Sequence, residues 1–171
     1  TAAKRMVEEG AIGEAGLFVG HFSFVAAPDS TRRVKEWGGG ALYDVGCYPL
    51  AWSRFFFDAE PESAYARMKL APSGVDERFV GTLFFSGGRT AQLSAALDWA
   101  GGSGCVLYGS KGKLAIGMTA TVDALTITID CGAGPQVFSS DRITPFVRQA
   151  EAFAAAILAG DAGWGRRWLD D

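Results

Sequence analysis

Residues 38–50 read GGGALYDVGCYPL: three glycines lead to an aspartate, and a tyrosine follows it four positions later. Gly38, Gly39 and Gly40 allow backbone dihedrals closed to other residues and a close approach to a ligand. Asp44 suits a helix start, where its carboxylate accepts from free amide hydrogens. Tyr48, at i+4, shares a helical face with it one turn on. Singly, Asp44 reads as a cap and Tyr48 as a core residue. With the glycines immediately upstream, carboxylate, phenol and open backbone together suit a small polar molecule, and Gly40 is taken as a substrate contact. In the preceding polar loop, AAPDSTRRVKEW (26–37), Arg32 and Arg33 are ordinarily solvated charges. Beside a ligand-sized gap one of them would grip a hydroxyl or phosphate, and Arg33 is assigned that place.

Other chemistry has little material. His21 is the sole histidine, which leaves almost nothing for a histidine metal cluster or a serine–histidine–carboxylate triad. Cys47, Cys105 and Cys131 are odd in number, widely spaced and free of CxxC, the pattern of free thiols in a reducing compartment. The segment GSGCVLYGSKGK (102–113) matches neither GxGxxG nor GxxxxGK[ST], and it lies between strands. It reads as a hairpin turn, and no cofactor-binding or metal-binding residue is assigned to this chain.

The elements that must carry these residues can be read from periodicity. A helix over 2–9 stops at Gly10. LFVGHFSFV (17–25) alternates as a strand, with Phe18, Gly20, Phe22 and Phe24 on one side and Val19, His21, Ser23 and Val25 on the other. A helix follows from about Val45 to Phe57, with Pro49 in its first turn or at a kink. RFVGTLFFS (78–86) and RTAQLSAALDW (89–99) flank Gly87-Gly88 as a hairpin. GCVLYG and KLAIGM surround the Ser110-Lys111-Gly112 turn, and 122–130 alternates with Leu125, Ile127 and Ile129 inward. A last helix has Thr144 as N-cap, Pro145 at its first position and Gly160 after its end. Tight connections between successive strands argue for antiparallel pairing. The expected fold is α+β: a large open, mainly antiparallel β-sheet with helices packed on one face.

Composition is that of an ordinary globular chain. Of 171 residues, 49% are apolar and 20% charged, with a net charge of −3, which disfavours nucleic-acid and anionic-membrane partners. No apolar run is long enough to span a bilayer, and the opening TAAKRMVEEG has no signal-peptide core. It reads as a helix already under way, so residues 1–171 are expected to be one domain of something longer. Strand 78–86 carries Phe79, Leu83 and Phe85 on one face, and Val80 and Phe84 on the other. A sheet covered on one side only would expose the second set, which points to a homo-oligomer through the open face.

GGGALYDVGCYPL resembles the signature that opens the C-terminal domain of the Gfo/Idh/MocA oxidoreductases, the glucose–fructose oxidoreductase and inositol dehydrogenase family. EEGAIGEAGLFVGHFSF, VLYGSKGKLAI and ITPFVRQAEAFAAAILAG are similar to that family's first helix and strand, later hairpin and late helix. The resemblance implies an open sheet packed on an N-terminal Rossmann domain that is absent from this chain and binds NAD or NADP. That domain also supplies a lysine from a Glu-Lys-Pro motif. Asp44 and Tyr48 match the family's aspartate and the histidine or tyrosine four residues later. The implied activity is hydride transfer at a sugar, polyol or related alcohol in the cytoplasm, with Tyr48 as general acid/base and Asp44 holding substrate hydroxyls or orienting Tyr48. The fragment alone is then expected to be inactive. A non-catalytic binding or dimerisation module and an NAD-dependent glycosidase are the alternatives.

Overall fold

The computed structural model describes residues 2–118, 125–130, 134–139 and 145–161. Thr144, the strand residues before Leu125, Cys131 and the closing segment after Asp161 lie outside the described residues. The elements are α1 (Ala2–Glu8), β1 (Ala15–Val25), α2 (Cys47–Phe57), β2 (Ser63–Leu70), β3 (Asp76–Phe84), β4 (Thr90–Ala96), β5 (Asp98–Gly109), β6 (Gly112–Met118), β7 (Leu125–Asp130), β8 (Pro135–Ser139) and α3 (Pro145–Leu158). Gly10 and Gly160 end the outer helices at φ of 79° and 66°, as the sequence predicts.

The eight strands form one open sheet in the order β2-β3-β4-β1-β5-β6-β7-β8. Every pairing is antiparallel except that of β1 with β4. The fold class is therefore the expected α+β architecture. Gly87 and Gly88 turn the β3–β4 hairpin with φ of 70° and 75°, values open to glycine. The outer pair β6–β7 extends to β8, and Ile127 and Ile129 are buried as their alternation predicts.

Three features depart from the local reading. Strands β2 and β8 are additional. Residues 89–99 do not form one strand: β4 ends at Ala96, the chain bends at the buried Leu97, and β5 starts at Asp98. The bend lets β1 slot between β4 and β5, with Ala26 N donating to the Leu97 carbonyl at 2.9 Å. Trp99, past the bend, consequently leaves the buried face and is exposed.

One face of the sheet holds the core. Phe18 on β1, Phe79 and Leu83 on β3, Leu93 on β4, Leu107 on β5 and Leu114 on β6 share one buried cluster with Phe56 and Phe57 of α2. Burying each such side chain contributes about 1.5–3 kcal/mol. The opposite face leaves Val80 52% and Phe84 45% exposed, the separation of faces expected for this strand. On α3, Phe146, Ile157 and Leu158 are also exposed.

Candidate active site

The glycine run ends in a tight approach to the protein itself. After short 3₁₀ turns at Thr31–Arg33 and Lys35–Trp37, Gly39 N donates to the Val34 carbonyl and Gly40 N to the Arg32 carbonyl, both at 3.0 Å. A Cβ on Gly39 would overlap the Arg32 carbonyl, and one on Gly40 would overlap the Asp76 carboxylate. Gly40 also has φ of 134°, a conformation almost confined to glycine. Gly39 and Gly40 are therefore needed for the chain's own packing, in contrast to the expected opening for a ligand.

Asp76 exploits that approach: its Oδ2 accepts from Leu42 N at 2.7 Å and so satisfies a free amide at the helix start. The sequence assigned the capping option to Asp44. The structure gives the cap to Asp76, 34 positions beyond the Leu42 amide that it accepts from, and turns Asp44 elsewhere. The helix does not begin as an α-helix near Val45; a π-turn at Leu42–Gly46 precedes α2. Such widened turns recur at functional sites. Pro49 sits buried in the first turn of α2, directly after the π-turn, where its missing N–H leaves a carbonyl of that preceding turn without its helical bond.

Asp44 Oδ2 accepts from Arg32 Nε at 2.7 Å, and the Arg32 guanidinium lies 5.4 Å from the Phe24 ring centroid. Tyr48 packs its ring on Phe22 (centroids 5.3 Å) and beside Trp52 (6.3 Å). Phe22 and Phe24 are same-face neighbours on β1, about 6.6 Å apart along a strand. The strand thus places the aspartate–arginine pair and the tyrosine side by side. Tyr48 is 42% exposed, and its hydroxyl has no hydrogen bond among the described residues. The second carboxylate oxygen of Asp44 and the two terminal nitrogens of Arg32 are likewise without a hydrogen bond among those residues. An oriented carboxylate, a guanidinium edge and a phenol on an aromatic bed can hold a polyhydroxylated molecule and exchange a proton with it.

Arg33 does not join this group. Its Nη1 donates to Glu77 Oε1 at 3.0 Å, its Nη2 to the Ala26 and Leu97 carbonyls at 3.1 Å, and its Nε to the Ala27 carbonyl at 3.2 Å. It fastens the loop to the bend between β4 and β5. The substrate-side arginine suggested by geometry is its neighbour, Arg32. Glu77 also accepts from Lys69 Nζ at 2.9 Å. The Lys69 hydrogen bond, and then that of Arg33, hold the Glu77 carboxyl below its ordinary range. Sequence reasoning missed Asp76 and Glu77 because their partners come from distant segments, and no local motif marks them. The pair RR did mark the loop, without saying which arginine faces the site.

Cys47, next to Tyr48, is exposed, and its thiol is pushed up mainly by desolvation. His21 faces the open side of β1, opposite Ser94 on β4 and Gly104 on β5, away from α2.

The model of the GFO/IDH/MocA C-terminal domain matches residues 1–115. An uncharacterised oxidoreductase of Rhizobium meliloti is 33% identical over 91% of this chain and 49% of its own length. The dTDP-3,4-didehydro-2,6-dideoxy-alpha-D-glucose 3-reductase of Actinomadura kijaniata is 29% identical over 97% of this chain and 51% of its own. In crystal form, the 3-ketoreductase KijD10 of that organism, in complex with NADP and TDP-benzene, superposes with a TM-score of 0.83. The identity there is 27%, over 96% of this chain and 53% of that one. The chain spans about half the length of these relatives. With sequence signature, sheet order and matched domain in agreement, the chain belongs to the GFO/IDH/MocA oxidoreductase family, in its C-terminal domain.

Proposed function

We propose that the chain is the substrate-side domain of an oxidoreductase that transfers hydride between NAD or NADP and the carbinol carbon of a sugar, polyol or related alcohol. The observation that carries this reading is Tyr48: partly exposed, its hydroxyl without a hydrogen bond among the described residues, and its ring held on Phe22 beside the Asp44–Arg32 pair. The cofactor is held mainly by a second domain, and when bound it supplies the hydride acceptor. Within this chain, Tyr48 takes the hydroxyl proton during oxidation and returns it during reduction. Base work by a phenol calls for a cation beside it, which the neighbouring domain would supply. Asp44 accepts from substrate hydroxyls through its second oxygen, while Arg32 holds the carboxylate in place. The terminal nitrogens of Arg32 donate to a substrate oxygen.

The sugar-modifying relatives support this substrate class, and the NADP-bound relative supports the cofactor. We place the enzyme in the cytoplasm, as a homodimer or larger assembly through the open sheet face, where Tyr65, Val80, Phe84 and Tyr108 are exposed. No helix among the described residues is long and apolar enough to cross a membrane. In the full-length protein, Tyr48→Phe retains the ring and removes only the hydroxyl. Turnover should drop roughly a hundredfold or more, with cofactor affinity unchanged; a turnover within about threefold of wild type would identify Tyr48 as a packing residue and end its catalytic assignment.

A further inference from the structure

Asp76 and Glu77 are consecutive residues at the start of β3, and their carboxylates reach the two halves of the site. Asp76 binds the Leu42 amide at the start of the helical segment that carries Asp44 and Tyr48. No side chain within the segment caps its start, so this acceptor comes from the sheet. Glu77 binds Arg33, which in turn grips the Ala26, Ala27 and Leu97 carbonyls and so fixes the loop that carries Arg32. The Arg32–Asp44 pair is itself partly exposed, with side chains 46% and 24% accessible. An ion pair that wet contributes little by itself, so its geometry must be imposed by the backbone on either side.

We infer that Asp76 and Glu77 are positioning residues for the Tyr48–Asp44–Arg32 site, one fixing the helix start and the other the arginine loop. This rests on the site reading given under Proposed function. Because the two act from one rigid strand end, the distance between tyrosine and arginine is set by the sheet. A substrate held by both would then meet a preformed spacing, and small displacements at such a site carry large rate penalties.

The test uses Glu77→Gln and Asp76→Ala in the full-length protein, with Asp76→Asn as the conservative partner that keeps an oxygen for the Leu42 amide. The first readout is the Arg32 Nε–H resonance in nitrogen-15 spectra, assigned by its loss in Arg32→Lys. Glu77→Gln and Asp76→Ala should each shift this signal to the free-arginine position or abolish it, and Asp76→Asn should restore it. The second is kinetic: kcat/KM should fall roughly tenfold or more in the first two variants, with the cofactor KM unchanged. In a double-mutant cycle, the losses from Glu77→Gln and Arg32→Ala should be strongly non-additive. A carboxylate that only supports the fold would lower stability, leave the Arg32 signal in place and give additive losses, which would overturn the inference. If Glu77→Gln does not fold, Arg33→Lys serves, since it keeps the charge beside Glu77 and removes the carbonyl grip. An unchanged Arg32 signal there overturns the inference equally. If Tyr48→Phe and Arg32→Ala both leave turnover intact, the site reading fails, while the Arg32 resonance still decides the positioning role.

Discussion

Gly40→Ala is the sharpest test of how the site is built. The substitution has two separable costs. Alanine at a φ of 134° is strained by about 1–3 kcal/mol. Its methyl group would also occupy the space of the Asp76 carboxylate, which must move away and release the Leu42 amide. Losing a hydrogen bond to a charged acceptor costs a further ~1.5–3 kcal/mol. Together these reach roughly 2.5–6 kcal/mol, a large share of the 5–15 kcal/mol typical of a domain. Gly10→Ala supplies the control: φ is also positive there, at 79°, but a new Cβ meets nothing within 4 Å. It should show the strain alone, at about 1 kcal/mol, near the lower end of that range. Urea unfolding of both variants gives the comparison. In an Asp76→Ala background the extra cost of Gly40→Ala should largely vanish, because the carboxylate is already gone. If Gly40→Ala is no worse than Gly10→Ala, the glycine is not there to admit Asp76.

The remaining predictions use the same contacts. Burial pushes the Cys105 thiol up to about 12, whereas Cys47 is exposed; iodoacetamide near pH 8 should therefore modify Cys47 well before Cys105. Peptide mass mapping checks the order, and equal rates would contradict the burial of β5. Glu77 is depressed by Lys69 and Arg33, and Asp98 by Arg78, so the unfolded chain binds more protons than the folded one as pH falls below their ordinary values of about 4. The stability they contribute is present above that point and is lost as pH falls through the depressed folded values. Acid unfolding followed by circular dichroism should show this limb, and it should flatten in Glu77→Gln; an identical limb would refute it. Light scattering should return a homodimer or larger species, and a double Val80→Glu and Phe84→Glu change should yield monomer. A wild-type monomer at high protein concentration would remove the open-face interface.

Local rules recovered what local physics determines. The period of 17–25 located β1 and its buried face, Gly87-Gly88 located the hairpin, and Gly10 and Gly160 located helix ends. The parallel contact of β1 with β4 was not legible, because it depends on the bend at Leu97, and that residue continues the apolar alternation of its neighbours. Strand β2 was passed over although SAYARMKL alternates Ala64, Ala66, Met68 and Leu70 with more polar neighbours; it lies at the sheet edge with every residue exposed, so its apolar positions are small or few and mark no core face. The candidate site was half legible. Asp44 and Tyr48 stand out by type and spacing, whereas the choice between Arg32 and Arg33 is made by distant groups. Glu77 and the carbonyls at Ala26, Ala27 and Leu97 take one arginine, and Asp44 takes the other.

That division of labour explains why two adjacent arginines are not interchangeable. On a 3₁₀ turn neighbouring side chains diverge by about a third of a revolution, so one can face the sheet end while the other faces the helix. Arg33 uses its fork to satisfy three backbone carbonyls and a carboxylate, a task that the compact ammonium of lysine would perform poorly. Arg32 bonds Asp44 through Nε and lies near the Phe24 ring, and its terminal nitrogens make no hydrogen bond among the described residues. Swapping the tasks would require the turn to rotate, and the Gly39 and Gly40 amides oppose that by binding the Val34 and Arg32 carbonyls. The glycine run therefore belongs to the mechanism by which the loop selects its arginine. It sets which cation stands beside Asp44.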